Sequence, residues 1–443
     1  MNAEIRPMKT AAELKLAEAF AAVRARLPGS GRVADQRAHA FERFEAAGLP
    51  HRRIEEWKYT DLRALMRDAK PLAAAPSADS RAGGRTAGKM FGGLDVRRIV
   101  FVDGSFVPEV SDLGGLEPGL AIAPMSRALA EGDDLVAARL GDVIATDDVA
   151  VALNTAFMGD GAVIRVGENA RIDRPIHLVF VFASASAAAL FPRSLVEVGA
   201  GASLTLLESY EGPDGLDYQV NGALELVVGD DASVDHVKVI DDGGQALQVS
   251  SVMAQIGARA KLRDLTFTVG GAVVRNQLFA RFAGEDARLD ANSATLAKQR
   301  QHVDTTLLID HAVPGGVSRE LNKAVLDDES RGVFQGKIIV RPGAQKTDGK
   351  MMSKALLLSD EAEADNKPEL EIFADDVQCG HGATAGALDR DLLFYVKARG
   401  VPQKAAEALL IAAFVGEALD VIEHDEIREA LSAATDAWLA GRA

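Results

Sequence analysis

Cys379, the only cysteine of the chain, lies two residues before His381 in the segment Asp375-Asp-Val-Gln-Cys-Gly-His-Gly-Ala383. Thiolate and imidazole are common ligands of iron, and residues two apart in an extended strand share a face. Asp375 and Asp376 come just before this pair and could steer a cation or orient the imidazole. The spacing therefore points to metal-related chemistry in this segment.

The number of ligands limits that chemistry. One cysteine cannot form an internal disulfide, and an iron–sulfur cluster normally needs about four protein ligands. Cys379 and His381 are too few, so a cluster here would have to be shared with another chain. A lone cysteine is also often a small buried hydrophobe, and an isolated histidine is often a satisfied structural group. Whether Cys379 is a ligand or a core residue stays open.

A second pair of histidines, His302 and His311, lies near Asp304 and Asp310. Their spacing fits no compact metal-ligand motif. Polar strand ends explain them better than a second metal site does.

A repeat indicates which elements carry these residues. The pattern apolar-Gly-x-x-Ala-x-apolar occurs first from Val166 to Ile172 and recurs with its alanine at positions 202, 232, 260 and 287. The alanine intervals are 32, 30, 28 and 27 residues, a slowly drifting period typical of stacked coils. Glycine permits a corner of the backbone, and alanine fits inside a crowded coil. The pattern predicts a β-solenoid over about residues 97–395.

Helices are predicted at both ends of this solenoid. Apolar residues recur at helical spacing in two runs before residue 50, and residues 71–93 are rich in Ala, Gly, Ser and Pro, as in a linker. Pro402 suits a first helical turn and precedes a broad apolar stripe, and a second helix is predicted from Asp425 to Trp438. We therefore divide the chain into an N-terminal helical domain with linker (1–95), a β-helix core (96–395) and a C-terminal helical domain (396–443).

Charge excludes several classes of partner. Acidic residues outnumber basic ones 65 to 49, which gives a net charge of −16. This charge repels nucleic-acid phosphates and anionic lipid headgroups, so neither nucleic acid nor membrane is expected as a partner.

The first 27 residues have neither a signal-peptide nor a membrane-anchor pattern, which favours the cytoplasm. The segment Gly83 to Met90 has phosphate-loop spacing but lacks the final Ser or Thr and any preceding strand.

Four motifs together resemble the SufB/SufD family of iron–sulfur cluster assembly proteins. They are Arg52-Arg-Ile-Glu-Glu-Trp-Lys-Tyr-Thr-Asp61, Pro368-x-Leu-Glu-Ile372, Asp375-Asp-Val-x-Cys-x-His-Gly-Ala383 and Leu393-Phe-Tyr-x-x-x-Arg-Gly400. With a single cysteine, the chain resembles the cysteine-poor branch of the family. The SufB branch needs more thiols, because it accepts sulfur.

The resemblance implies a mainly β fold, a right-handed parallel β-helix with helical domains at both ends. It also implies a non-enzymatic scaffold in a complex with a SufB-type paralogue and a SufC-type ABC ATPase. No cofactor would be held permanently, and a transient iron–sulfur cluster would be shared with SufB at the interface. His381 matches the family's interface histidine and is a candidate metal residue shared with the partner chain, with Cys379 beside it. The SufC-docking region corresponds to residues of the C-terminal stripe: Pro402, Ala406, Leu409, Leu410, Ala413 and Phe414.

Other functions stay open at this point. A purely structural subunit would leave all cluster chemistry to the partner, and an isolated chain could form a homodimer. A β-helix enzyme acting on carbohydrate would be expected to carry abundant aromatic residues, whereas aromatics are 5% of this chain.

Overall fold

Two long sheets face each other through the middle of the molecule. The structure is a computed structural model that describes residues 8–442. Its strands, in chain order, are β1 Arg97–Val102, β2 Ser105–Phe106, β3 Leu120–Pro124, β4 Ala162–Val166, β5 Ile176–Val181, β6 Ala189–Leu190, β7 Arg193–Val198, β8 Ser203–Glu211, β9 Gln219–Val228, β10 Ser233–Asp241, β11 Leu247–Ile256, β12 Lys261–Thr268, β13 Val273–Phe282, β14 Arg288–Ala297, β15 His302–His311, β16 Val317–Leu326, β17 Arg331–Val340, β18 Asp348–Leu357, β19 Glu363–Ile372 and β20 Gln378–Gly386.

From β7 onward the long strands alternate between the sheets, as expected for a two-sided solenoid. Sheet one has the order β2-β1-β5-β8-β10-β12-β14-β16-β18-β20. Sheet two has the order β3-β4-β7-β9-β11-β13-β15-β17-β19, with β6 beside β9. All pairs are parallel except β1 with β2 and β3 with β4. The prediction of a mainly β solenoid with helices at both ends is confirmed.

The alanine intervals of the repeat match the number of residues by which paired strands of successive coils are offset. Ser203 pairs with Ser233, Ser233 with Lys261, and Lys261 with Arg288, so successive coils differ by 30, 28 and 27 residues. The alanines of the repeat face the interior, where Ala202, Ala232, Ala260 and Ala287 are at most 1% exposed. The small side chain is required because the chain turns tightly around it, as the sequence predicted.

The glycine of the repeat has a different role from the one predicted. The left-handed corner is taken by the residue before the alanine, such as Asp231 (φ 57°) or Arg259 (φ 55°). Gly229 instead lies directly against the coil below, where an added Cβ would meet the Ala200 amide nitrogen and the Val198 carbonyl oxygen at 2.8 Å. Close approach of two backbones, rather than the corner itself, excludes a side chain.

Gly229→Ala should therefore destabilise the solenoid by about 2 kcal/mol, because the clash is with backbone that cannot rotate away. Chemical denaturation of the variant measures the change. Gly93→Ala is the matched control, since no atom lies within 4 Å of an added Cβ there. Equal stabilities of the two variants would contradict the close-approach explanation.

The helices gather in two regions outside the sheets. They are α1 Ala11–Val23, α2 Arg32–Ala47, α3 Leu62–Leu65, α4 Ala78–Gly83, α5 Met125–Glu131, α6 Asp134–Arg139, α7 Val149–Phe157, α8 Arg390–Lys397, α9 Gln403–Leu419 and α10 Asp425–Ala440. Thr10 and Glu13 form a capping box at the start of α1. No helix within residues 8–442 is both long and apolar enough to cross a membrane.

The N-terminal helices cover the outer face of sheet two. Phe20 and Phe41 stack at 4.1 Å and form one apolar cluster with Phe157 of α7 and with Leu247 and Val249 of β11. Burial of such aromatic and aliphatic side chains stabilises the contact by about 1.5–3 kcal/mol each. The N-terminal segment is therefore fixed along the side of the solenoid.

The C-terminal helices cover the outer face of sheet one. Ile411, Val415 and Leu419 of α9 are at most 2% exposed and share an apolar cluster with Val237 and Phe267 on the strands below. The helix predicted from Asp425 to Trp438 is confirmed as α10. Between the last strand and α9 lies α8, a short helix with no buried residue.

Candidate functional site

The Cys379–His381 segment forms the last strand of the solenoid. β20 pairs only with β18 in sheet one, and β19 pairs only with β17 in sheet two. Both strands thus present an unpaired edge within the described part of the chain. Next to these edges, Ile372 is 43% exposed and Phe373 is 59% exposed. Unpaired edges with exposed apolar side chains are surfaces on which another chain can add strands.

Parallel pairing places Cys379 and His381 on the inward face of β20. Cys379 lies opposite Gly349, and His381 lies opposite Met351, a residue of the interior core that is 2% exposed. Cys379 is half-buried against this core, whereas His381 is exposed at the open end. The two candidate ligands therefore lie side by side where the interior opens to the outside.

The surroundings of Cys379 keep the thiol protonated. Burial raises the pKa of Cys379, and the nearby charges of Asp348 and Glu320 raise it further, against a backbone hydrogen bond at Gly349 that lowers it. A thiolate here would need an added positive charge, such as a metal ion or a cationic group of another chain.

The two aspartates before the cysteine do not orient His381. Asp376 forms an ion pair with Lys346, and its backbone nitrogen donates to the Gln345 side chain at 2.9 Å. Asp375 is exposed. Throughout residues 8–442, no three or more His, Cys, Asp or Glu side chains are placed so that they could hold a metal ion.

A second surface lies on the C-terminal helices. Leu392, Phe394 and Tyr395 of α8 and Leu409 of α9 are large apolar side chains that are 52–74% exposed. The α8 residues were not singled out as a site from the sequence, although the Leu393-Phe-Tyr395 run carried the signal. We call these four residues the C-terminal apolar patch.

The residues of the C-terminal stripe that are predicted to dock the ATPase differ in exposure. Pro402 caps α9 and is exposed, as are Leu409 and Ala413. Leu410 and Phe414 are half-buried. Ala406 is 0% exposed and packs inside, so it is not available to a partner in this conformation.

An ion-pair cluster joins α9 to the strands beneath it. Glu417 bonds to Lys323 of β16 and lies 3.2 Å from the Lys354 ammonium of β18. Lys323 is 1% exposed and lies 4.1 Å from the centre of the Phe414 ring. Burial lowers the pKa of Lys323, although the Glu417 carboxylate partly opposes this. The C-terminal helices are thereby attached to the same two strands that lie below β20.

The motif at residues 52–61 and the second histidine pair, His302 and His311, form contacts within the fold. Trp57 is 2% exposed, its ring lies 3.9 Å from the Arg275 guanidinium, and its nitrogen donates to Asp148 at 3.1 Å. Through Trp57, residues 52–61 are therefore anchored on the core. His302 contacts the Thr60 hydroxyl at 2.9 Å, and His311 contacts the Ser318 hydroxyl at 3.0 Å.

Comparison with known proteins assigns the chain to a family. Residues 180–414 match the model described as "SUF system FeS cluster assembly, SufBD core domain", and residues 13–178 match the "SufBD protein N-terminal region". An iron–sulfur cluster assembly SufBD family protein of Synechocystis is 31% identical over 88% of this chain and 87% of that protein.

Two proteins named SufD are also similar. The iron–sulfur cluster assembly protein SufD of Escherichia coli is 28% identical over 94% of this chain and 99% of its own length. SufD of Bacillus subtilis is 27% identical over 63% of this chain and 64% of its own length. With the core model covering more than half of the residues, the chain belongs to the SufBD family of iron–sulfur cluster assembly proteins.

Proposed function

We propose that the chain is a non-enzymatic scaffold subunit that shares a nascent iron–sulfur cluster with a SufB-type partner. The observation that supports this most directly is the placement of Cys379 and His381 on β20, one of the two strands with an unpaired edge at the open end of the solenoid within residues 8–442. Added strands from a partner would satisfy those edges and bring further ligands to the same opening. The cytoplasm stays the predicted compartment.

The cluster is cargo in this proposal rather than a resident cofactor. Two candidate ligands from this chain provide about half of a usual ligand set, so the site is complete only when a second chain contributes. The same edges would allow the isolated chain to pair with a copy of itself. Such a homodimer would offer the same two ligands twice and would add no different ligand from a second kind of chain.

Anaerobic co-purification with a SufB-type and a SufC-type protein, followed by iron and sulfide analysis, tests the function. A stable complex without iron or sulfide would contradict it.

The C-terminal apolar patch is proposed as the docking surface for the SufC-type ATPase. Phe394 is 74% exposed, and aromatic residues that become buried at the centre of an interface typically dominate its binding energy. Phe394→Ala should weaken ATPase binding by about 2 kcal/mol, or roughly thirtyfold in Kd, without changing stability. Isothermal titration or surface plasmon resonance measures the change. Leu14→Ala, at an exposed leucine of α1, is the matched control, and equal affinities of both variants would exclude the patch.

A purely structural role for Cys379 is the second candidate, because the thiol is half-buried and its pKa is raised. Alkylation of Cys379 in the free chain and in the complex distinguishes the two. Protection in both states favours a core residue, and protection only in the complex favours the interface.

A further inference from the structure

A cleft lies between the motif at residues 52–61 and the outer face of sheet two. Its volume of 410 Å³ falls in the range of about 300–1,000 Å³ that is typical of ligand-sized sites. It is lined by residues 54–57 of the motif, by residues 146–149 at the start of α7, and by side chains of β13, β15, β17 and β19. The motif therefore borders a ligand-sized space in addition to anchoring Trp57 on the core.

The floor of the cleft crosses four neighbouring strands and ends at the edge of the sheet. One row of its side chains is Phe279 on β13, Leu308 on β15, Lys337 on β17 and Glu369 on β19, each opposite the next. Phe279 and Leu308 are large and apolar but only half-buried. β19 is the last strand of sheet two, with an unpaired edge within residues 8–442. A chain that added a strand to β19 would therefore lie next to the cleft.

The motif is held in place beside this floor by contacts with three strands. The Arg275 guanidinium donates to the Glu56 carbonyl oxygen at 2.8 Å, and the Gln335 side-chain nitrogen donates to the same oxygen at 3.2 Å. Glu55 forms an ion pair of 2.6 Å with Lys367 of β19. Because β13, β17 and β19 all hold this segment, the cleft is preformed in the free chain.

The charges that line the cleft favour a cationic occupant. Its three cationic side chains are each ion-paired within the chain: Arg275 with Asp304, Lys337 with Glu371 and Lys367 with Glu55. Of its five carboxylates, that of Glu56 has neither an ion pair nor a hydrogen bond among the residues that the structure describes. Asp147 is fully exposed and lies 3.4 Å from Arg43. Negative charge is thus left over beside an apolar floor.

A protein segment with a lysine or arginine beside an apolar residue matches both features. Its positive charge would face Glu56 and Asp147, and its apolar side chain would cover Phe279 and Leu308. A phosphate-bearing ligand would instead meet the leftover carboxylates and be repelled. A partner whose strand pairs with β19 already holds its neighbouring segments close to the cleft, so their effective concentration there is high.

We propose that the cleft receives a basic and apolar segment of the SufB-type partner that pairs with β19. This inference rests on the proposed scaffold function, and it adds a contact on the side of the solenoid to the contact at its end. A strand edge accepts both parallel and antiparallel neighbours. The second contact therefore fixes the orientation of the partner, which strand pairing alone leaves undetermined.

Photo-crosslinking in the assembled complex tests the occupant. Phe279 is replaced by the photoreactive analogue benzoylphenylalanine, which keeps an aromatic ring on the floor of the cleft. Irradiation should link this chain to the SufB-type protein, at a segment with a lysine or arginine beside an apolar residue. A link to the SufC-type protein or to a second copy of this chain, or no link, would overturn the proposal. The same analogue at Phe106, on β2 at the opposite end of sheet one, is the control and should give no link.

Glu56→Lys tests the charge of the occupant. The Glu56 side chain is exposed, so the variant should unfold at the temperature of the natural chain. Its affinity for the SufB-type protein should fall roughly tenfold at low salt, and the loss should shrink as the ionic strength rises. Glu168→Lys, in an exposed turn at the opposite end of sheet two, is the matched control. An equal effect of the two reversals, or a loss that salt does not change, would contradict a cationic occupant.

A third measurement separates failure of the cleft from failure of the scaffold function. Overlapping short peptides that cover the SufB-type protein are titrated into the free chain, so neither a complex nor a cluster is needed. A segment of the stated chemistry should bind, and Glu56→Lys should weaken its binding more than Glu168→Lys does. If no such segment binds, the cleft proposal is refuted, even where the complex assembles with iron and sulfide. Binding of the segment together with a complex that lacks iron and sulfide would support the cleft and contradict the scaffold function.

Discussion

His381→Ala should abolish iron–sulfur cluster formation in the assembled complex while leaving the chain folded. His381 is exposed on the last strand, and no hydrogen bond of its side chain is present in the described structure, so its removal costs little stability. The proposed site would lose one of only two ligands that this chain offers. Iron and sulfide analysis of the purified complex, together with the visible absorption of the cluster, measures the loss.

The matched control for this experiment is His39→Ala, an exposed histidine on α2 far from the open end in sequence. Both variants should unfold at the temperature of the natural protein and should bind both partners. Normal iron and sulfide content in the His381→Ala complex would rule out this histidine as a cluster residue. Loss of cluster in both variants would point to a general effect of preparation.

His236→Leu should destabilise the chain by about 3–5 kcal/mol, the usual cost of removing one partner from a buried ionic group. His236 is 0% exposed inside the solenoid. Its two ring nitrogens lie 2.6 Å from Asp264 and 3.0 Å from Glu208. Leucine fills much of the same space but leaves both carboxylates without their shared partner. Chemical denaturation at pH 7 measures the change, and His39→Leu is the control.

The pH dependence identifies the mechanism of that loss. Burial alone lowers the pKa of His236, but Asp264 and Glu208 outweigh it and raise it to about 9. A raised folded pKa means that the stabilisation is complete below the ordinary value of 6.5 and is lost as the pH rises through about 9. The difference between the natural chain and His236→Leu should therefore shrink between pH 7 and pH 10. A difference that is constant over this range would indicate lost packing instead of a lost ion pair.

Local patterns predicted much of the architecture. The alanine intervals matched the coil register because each coil needs one tight turn around a small interior residue, and that requirement recurs along the chain. The pattern fades after Ala287, where Gly315 (φ 74°) and Lys346 (φ 64°) take the left-handed corner with different neighbours. The sequence therefore showed the first coils clearly and the last ones poorly.

The sequence predicted that Cys379 and His381 share one face of a strand, because they are two residues apart and strand geometry relates such neighbours directly. The sequence also indicated that this pair was incomplete. It could not indicate Gly349 and Met351, which lie opposite Cys379 and His381 although they come 30 residues earlier in the chain. The last two coils advance by 31 residues, from Ser318 to Gly349, and by 30, from Gly349 to Cys379. Loop lengths set those advances, so only the tertiary structure decides which distant residues share the interior of the open end.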